Sequence, residues 1–204
     1  MLLKTSTNVI QQNNLETTLK LYMVLLGSKA EGRNVEQHDF FFGVASSLAD
    51  LVPQLRAFWP EAGKSLHIDG WREVTAVDGY RVDIRLKNDD QSNQEQRLFF
   101  INLGGYTAGR LEEQHYTLLS VCADKAEATQ KAKRAAFFKQ ASITGVKGAN
   151  AHIDEKYGID VDEVHRIEDI WHPQLIDKYS IKLSPSAELV PDEVHLGYFR
   201  LDKL

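Results

Sequence analysis

The sequence has a single cysteine, Cys122, few prolines and no apolar run of eighteen or more residues. One thiol cannot form an internal disulfide and excludes a thiolate-rich metal site. Cys122 is therefore expected to be a small buried side chain at the end of a strand. Without a long apolar run there is no membrane-spanning helix to expect. Leu2 and Leu3 lead straight into the polar stretch KTSTNVIQQNNLETT, which lacks the apolar core of a signal peptide. The expected location is the cytoplasm, with no membrane partner. Basic residues are also short: 24 Lys and Arg against 29 Asp and Glu leave a formal charge of −5, the reverse of the excess that nucleic-acid binders carry. Nucleic acid is thus not an expected partner. The acidic run DEKYGIDVDEVHRIED, Asp154 to Asp169, lacks the glycine and terminal glutamate of a calcium-binding loop and reads as a solvated face.

What is present, 43% hydrophobic residues in 204, suffices for one substantial core or two small ones. Four stations recur in the same order. LYMVLLG from Leu21 answers to HYTLLSV from His115, both short apolar runs typical of strands. A helix is predicted after each. In the first copy Asn34 is the N-cap, Gln37 stands three residues on, and Phe41, Val44, Ala45, Leu48 and Val52 follow at helical spacing. In the second, Asp124 pairs with Glu127 ahead of Ala128, Ala132, Ala135 and Phe138. HID then appears at His67 to Asp69 and again at His152 to Asp154, and FINLGGY from Phe100 answers to EVHLGYF from Glu193. Further strands are predicted from Tyr80 and from Tyr179 by their alternation. The fold expected is α+β: two tandem β-α-β-β-β units, residues 20–110 and 111–204, related by pseudo-twofold symmetry and sharing a core or a sheet. Residues 1–19 form an N-terminal extension.

The stretches MVLLGSKAEGRNVEQHDFFFG, FWPEAG, HIDGWREV and HIDEKYGIDVDEV resemble the bacterial family catalogued as domain of unknown function 1543. Its members often carry the domain in two copies. The resemblance spans about Lys20 to Leu204 and implies duplication and a bacterial origin; it implies no activity and no site.

Function is sought where the copies differ. Aligned through Tyr22 and Tyr116, the first copy has a longer connection after its first strand, in GSKAEGRN, and loops longer than a scaffold requires are where binding groups sit. Gly27 and Gly32 have the spacing of a phosphate-binding loop, but Arg33 and Asn34 stand where that motif needs Lys and a hydroxyl for magnesium. Nucleotide hydrolysis through this loop is not expected on that ground. Simple anion binding by backbone N–H groups at a helix start, with Lys29 and Arg33 beside them, survives.

The expected ligand-binding set is Gly27, Ser28, Lys29, Gly32, Arg33, Asn34, His38, Asp39, His67, Asp69 and Trp71. The leading reading is a cytoplasmic binding or interaction protein that presents this loop to a small anionic ligand or a protein partner. The alternative is a metal-assisted hydrolase in which His38, Asp39, His67 and Asp69 supply N and O ligands or a general acid and base. No ligand spacing in the chain is diagnostic, so no resident metal or cofactor and no catalytic residue is assigned. A third reading is a scaffold that forms a homodimer through its edge strands.

Overall fold

The computed structural model describes residues 18–87, 94–106, 111–134 and 160–204. Among these residues ten strands form three antiparallel sheets. Strands β1 (Lys20–Ser28), β2 (Gln37–Ala45), β3 (His67–Glu73) and β10 (His195–Arg200) make the first, in the order β10-β3-β1-β2. Strands β4 (Ala76–Val77), β5 (Tyr80–Leu86) and β9 (Tyr179–Pro185) make the second, and β7 (Glu113–Cys122), β6 (Arg97–Tyr106) and β8 (Asp160–Arg166) the third. Helices are short: α1 (Val52–Phe58), α2 (Lys125–Lys133) and α3 (Pro173–Ile176), with 3-10 turns at Ala49–Leu51, Pro60–Ser65 and Ile167–Ile170. Among the described residues no helix is long and apolar enough to cross a membrane.

The helix predicted from Asn34 is absent; residues 37–45 form β2 instead. The run FFFGVA is buried on both faces of its sheet, Phe41 and Ala45 against α1, and Phe42 and Val44 against the opposite core. A strand covered on both sides reads as a continuous apolar run, and within such a run every spacing, helical included, finds a match. The helix starts only at Val52, with Pro53 in its first turn, where the missing N–H has no partner to lose. In the second half the cap is as expected: Asp124 accepts the amide of Glu127, and the Glu127 carboxylate returns to the amide of Ala123. Ala128 and Ala132 are buried beneath it. Ala135, Phe138, His152 and Asp154 lie outside the described residues.

The recurring stations are also displaced from where the sequence put them. β1 is an inner strand, flanked by β2 and β3, whereas β7, its expected counterpart, is an edge strand. The strand that sits as β1 does is β6, between β7 and β8. Each inner strand makes a hairpin with the next strand and pairs antiparallel with a third. In each, the third strand carries one extra residue: Asp69 in β3, between partners of Leu25 and Leu26, and Asp162 in β8, between partners of Asn102 and Leu103. Gly27 lies opposite His38 and His67; Gly104 lies opposite His115 and Asp160. Gly27 to His38 and Gly104 to His115 are both eleven positions, so the first connection has no excess length.

One core lies between the sheets. Leu21, Met23, Phe42 and Val44 meet Leu98, Phe100, Leu119, Val121, Ile181 and Leu183 there. The outer faces are covered separately. Tyr22, Val24, Leu26 and Ile68 pack under Leu51 and Leu55, while Phe99, Ile101 and Leu103 pack under Ala128 and Ala132. β5 and β9 pair along their length with Asp83 opposite Lys182 at the centre, joining the two halves. A two-residue turn with positive φ at Asp78 (52°) and Gly79 (81°) closes the β4–β5 hairpin. From that turn the Asp78 carboxylate reaches across to accept from Ser120 Oγ (2.8 Å), Val121 N (2.8 Å) and Lys131 Nζ (2.6 Å).

Candidate metal centre

Gly27 ends the inward-facing row of β1 that contains Leu21, Met23 and Leu25. It is flanked by a histidine on either neighbouring strand. A Cβ at this position would stand 2.4 Å from Asp69 Oδ2 and 2.6 Å from His67 Nε2. Those are contacts that no side chain can make, so only glycine lets the two groups close over the strand.

Over this floor four side chains meet. His38 Nε2 is 3.1 Å from Asp69 Oδ2 and 3.8 Å from Glu36 Oε2. His67 Nε2 is 3.1 Å from Asp69 Oδ1 and 3.0 Å from Glu36 Oε1. The ligand atoms of Glu36, His38 and Asp69 all lie within 4.8 Å of one another. Alternation places them: Glu36, the residue just before β2, and His38 are two apart, and His67 and Asp69 are two apart at the start of β3, so each pair shares a face. The extra residue at Asp69 shifts the register beyond it and bends the strand at the site.

His67 is held more firmly than the rest, its side chain only 5% exposed. Its Nδ1 stands 2.8 Å from the Ser65 carbonyl, which can only accept, so Nδ1 carries a proton. That leaves Nε2 as the atom turned to the carboxylates. Despite the short distances Nε2 makes no hydrogen bond, and neither does the buried Asp69 Oδ2. An imidazole fixed through one nitrogen to a carbonyl, with the other directed at carboxylate oxygens it does not bond, is the arrangement of a metal ligand. The spacing agrees: with bonds of roughly 2.1 Å, adjacent ligands stand about 3.0 Å apart at right angles and about 3.4 Å apart at the tetrahedral angle.

The expected residues divide sharply. Gly27, His38, His67 and Asp69 come together. Asp39 does not join them: it faces away from His38, as its neighbour on a strand must, and accepts the amide of Phe40 (2.7 Å). Burial pushes its carboxyl above the usual range. Ser28 is turned to the α1 side, fully buried and bonded to Ser65 Oγ (2.7 Å). Trp71 lies on the α1 side, stacked on His195 with ring centroids 4.0 Å apart. Lys29, Gly32, Arg33 and Asn34 belong to the exposed hairpin connection between β1 and β2. Because that connection enters a strand, no helix N-terminus faces it, and the phosphate-loop comparison loses its physical basis. Gly32 is used for its positive φ of 78°.

Sequence reasoning missed Glu36. A signal was present: GSKAEGRNVEQH and GGYTAGRLEEQH share Gly27/Gly104, Gly32/Gly109, Arg33/Arg110, Glu36/Glu113, Gln37/Gln114 and His38/His115 at one displacement of 77 positions. The C-terminal strand covers one flank, with the Tyr198 ring 4.3 Å from the His67 ring.

Residues 33–84 match the family model described as Domain of Unknown Function (DUF1543), in one copy. Glu36, His38, His67 and Asp69 all fall inside the matched segment. No curated protein matches the chain. Four chains of solved structures do, among them the one titled "Crystal structure of a protein Il1583 from Idiomarina loihiensis". It is 24% identical with a TM-score of 0.60, covering 90% of this chain and 98% of that one. At that identity the likeness is one of fold, and the comparisons place this chain beside a domain family and a structure whose printed names carry no activity.

Proposed function

We propose that the protein binds a divalent transition-metal ion through Glu36, His38, His67 and Asp69, in an open site that admits a small anionic ligand. The observation that carries this reading is His67: buried, fixed through Nδ1, with Nε2 against two carboxylates it does not hydrogen-bond. Uncompensated, that arrangement costs about 1–3 kcal/mol for each unsatisfied polar group. A cation among the four groups removes the cost. Two imidazoles and two carboxylates suit zinc, iron(II) or manganese better than calcium.

Three of the four side chains remain partly exposed, His38 at 48%, Glu36 at 39% and Asp69 at 24%. Water and a small ligand can therefore reach an ion held there, as at catalytic rather than structural sites. A metal-assisted hydrolase follows, with Glu36 in the place first given to Asp39. The exposed connection above the site adds Lys29 and Arg33, neither paired with a carboxylate among the described residues, which favours an anionic ligand. A cytoplasmic location and descent from a duplicated unit belong to the same proposal. Support for duplication comes from the matching registers at Gly27 and Gly104 and from the Asp83–Lys182 pair at the centre of the shared ladder.

Metal analysis of purified protein, followed by chelation and reloading with Zn2+ or Mn2+, tests the reading. One tightly held ion is expected, and an excess of about a hundred times Kd should raise the unfolding midpoint by about 5–10 °C. His38→Ala, at a half-exposed position, should abolish both effects without unfolding the chain. No ion retained above background would overturn the assignment.

A further inference from the structure

The face of the first sheet that carries the metal centre continues past it. Leu25 of β1 and Leu196 of β10 both stand opposite Gly70 of β3, so the three strands lie level there. A Cβ on Gly70 would stand 3.0 Å from Leu196 Cδ2, so the leucine side chain leans over the glycine. Leu196 is nonetheless 76% exposed, and Leu25 is only partly buried. Beyond that level, away from the centre, Arg72 stands opposite Met23, in the same inward row as Gly27. Arg81, Arg85, Arg166 and Arg200 each stand against a carboxylate. Arg72 does not. It is half-buried, yet among the described residues its guanidinium meets no carboxylate, only Met23 Sδ, 3.6 Å from Nη2. Asp192, whose charge reaches it, is engaged by the Thr75 amide (3.0 Å) and hydroxyl (2.5 Å). Burial therefore pulls the Arg72 guanidinium below the ordinary arginine value, and Asp192 opposes this only in part. A cation drawn out of water without a partner carries a standing cost, which an anion in its planar fork removes.

We infer that Arg72 is the second anchor of the proposed metal site, and that its ligand is an elongated small molecule with an anionic group at each end. One end meets the ion, the other pairs with Arg72, and an apolar body crosses Gly70 against Leu25 and Leu196. The inference rests on the metal reading for the first end and on Arg72 for the second. Met23 and Gly27 stand about 13 Å apart along β1, so the two anionic ends must be well separated. Gly70, having no side chain, keeps the path between them open. The exposed leucine beside it gives that path an apolar wall, which a ligand with a hydrocarbon body would cover.

Calorimetry on the full chain, chelated and reloaded with Zn2+, tests this with glutarate, adipate, suberate and sebacate, each set beside the monocarboxylate of the same length. Ion content is measured first in every protein. One member of the dicarboxylate series should bind at least about tenfold more tightly than its monocarboxylate, and Arg72→Met should erase that preference while leaving the monocarboxylate affinity and the ion unchanged. Circular dichroism of this variant should match the natural chain, since it keeps the apolar stem and removes an uncompensated charge. Leu196→Ser, at an exposed position, should weaken the longer acids of both kinds by about threefold or more, and unchanged affinities there would overturn the path across Gly70. Dicarboxylates that bind no better than monocarboxylates, or a preference that survives in Arg72→Met, overturn the inference and leave the metal reading standing. Failure to retain the ion overturns the metal reading, and this inference with it.

Discussion

At Gly27 and Gly104 the chain uses one backbone design, an inner strand with a glycine near its end, a histidine opposite it on the hairpin partner and an aspartate on a bulge, and surrounds it with different side chains. The first end has a second histidine, anchored by the Ser65 carbonyl and shielded by Tyr198. The second has Asp160 at that register position, and its His115 Nδ1 accepts from the Asn102 amide where His67 Nδ1 donates to a backbone carbonyl. Backbone geometry alone thus provides a place for side chains to converge. What the side chains there present to solvent differs through one residue and its support.

The comparison should first be broken from beneath, where the largest effects lie. Leu26 and Leu103 precede the two glycines, and both are fully buried. Truncating either to alanine should cost about 2–5 kcal/mol in chemical denaturation. Leu26 should cost more. It shares a cluster with Leu51, Leu55 and Ile68, large side chains that hold a cavity open, whereas the cluster of Leu103 includes the small Ala128, Ala132 and Cys122 beside Phe99, Ile101 and Val164. Equal losses would show that the two outer layers support their inner strands alike.

The glycines themselves come next. Gly27→Ala should weaken ion binding at the first centre at least about a hundredfold and destabilise the chain by about 1–3 kcal/mol, because the added carbon meets a ring that cannot move. His67 is fixed by Ser65 and covered by Tyr198. Gly104→Ala meets the ends of two partly exposed side chains, Asp162 and Glu113, in place of a fixed ring, and should cost under about 1 kcal/mol. A stability loss at Gly104 as large as that at Gly27 would mean that the second rim is as rigid as the first.

Much of this site was legible before any coordinates: the convergence of His38, His67 and Asp69 follows from period-two spacing once two strands are granted. What hid Glu36 and wrongly included Asp39 was the reading of residues 37–45 as a helix. On a helix, His38 and Asp39 share a turn; on a strand they oppose each other, and Glu36 takes the second place. The error has a physical source, since FFFGVA is buried on both faces and carries no periodicity to choose by. Matching LYMVLLG to HYTLLSV through Tyr22 and Tyr116 pairs an inner strand with an edge strand, because short apolar runs resemble one another more than the glycine and EQH positions that share one displacement. Where capping residues decided the matter, at Asp124 and Glu127, the sequence was read correctly.

A modest effect, and one confined to part of the pH range, is expected at the link between the two regions rather than at either site. Asp78 belongs to the first half, yet its carboxylate is bonded to Ser120, Val121 and Lys131 of the second. Burial alone would raise its pKa, but the bonds from Lys131, Val121 and Ser120 outweigh burial and hold it below the usual carboxylate value. A carboxyl whose folded pKa is lowered contributes stability above its unfolded pKa and loses it as pH falls through the folded value. With Lys131 45% exposed the contribution is modest, about 1 kcal/mol at neutral pH. Asp78→Asn keeps the positive φ of 52°, which asparagine tolerates, and removes only the charge. Denaturation curves of the two proteins should therefore differ by about that amount at pH 7 and converge below about pH 4. A difference that persists undiminished in acid would show that shape, and not charge, joins the halves at this turn.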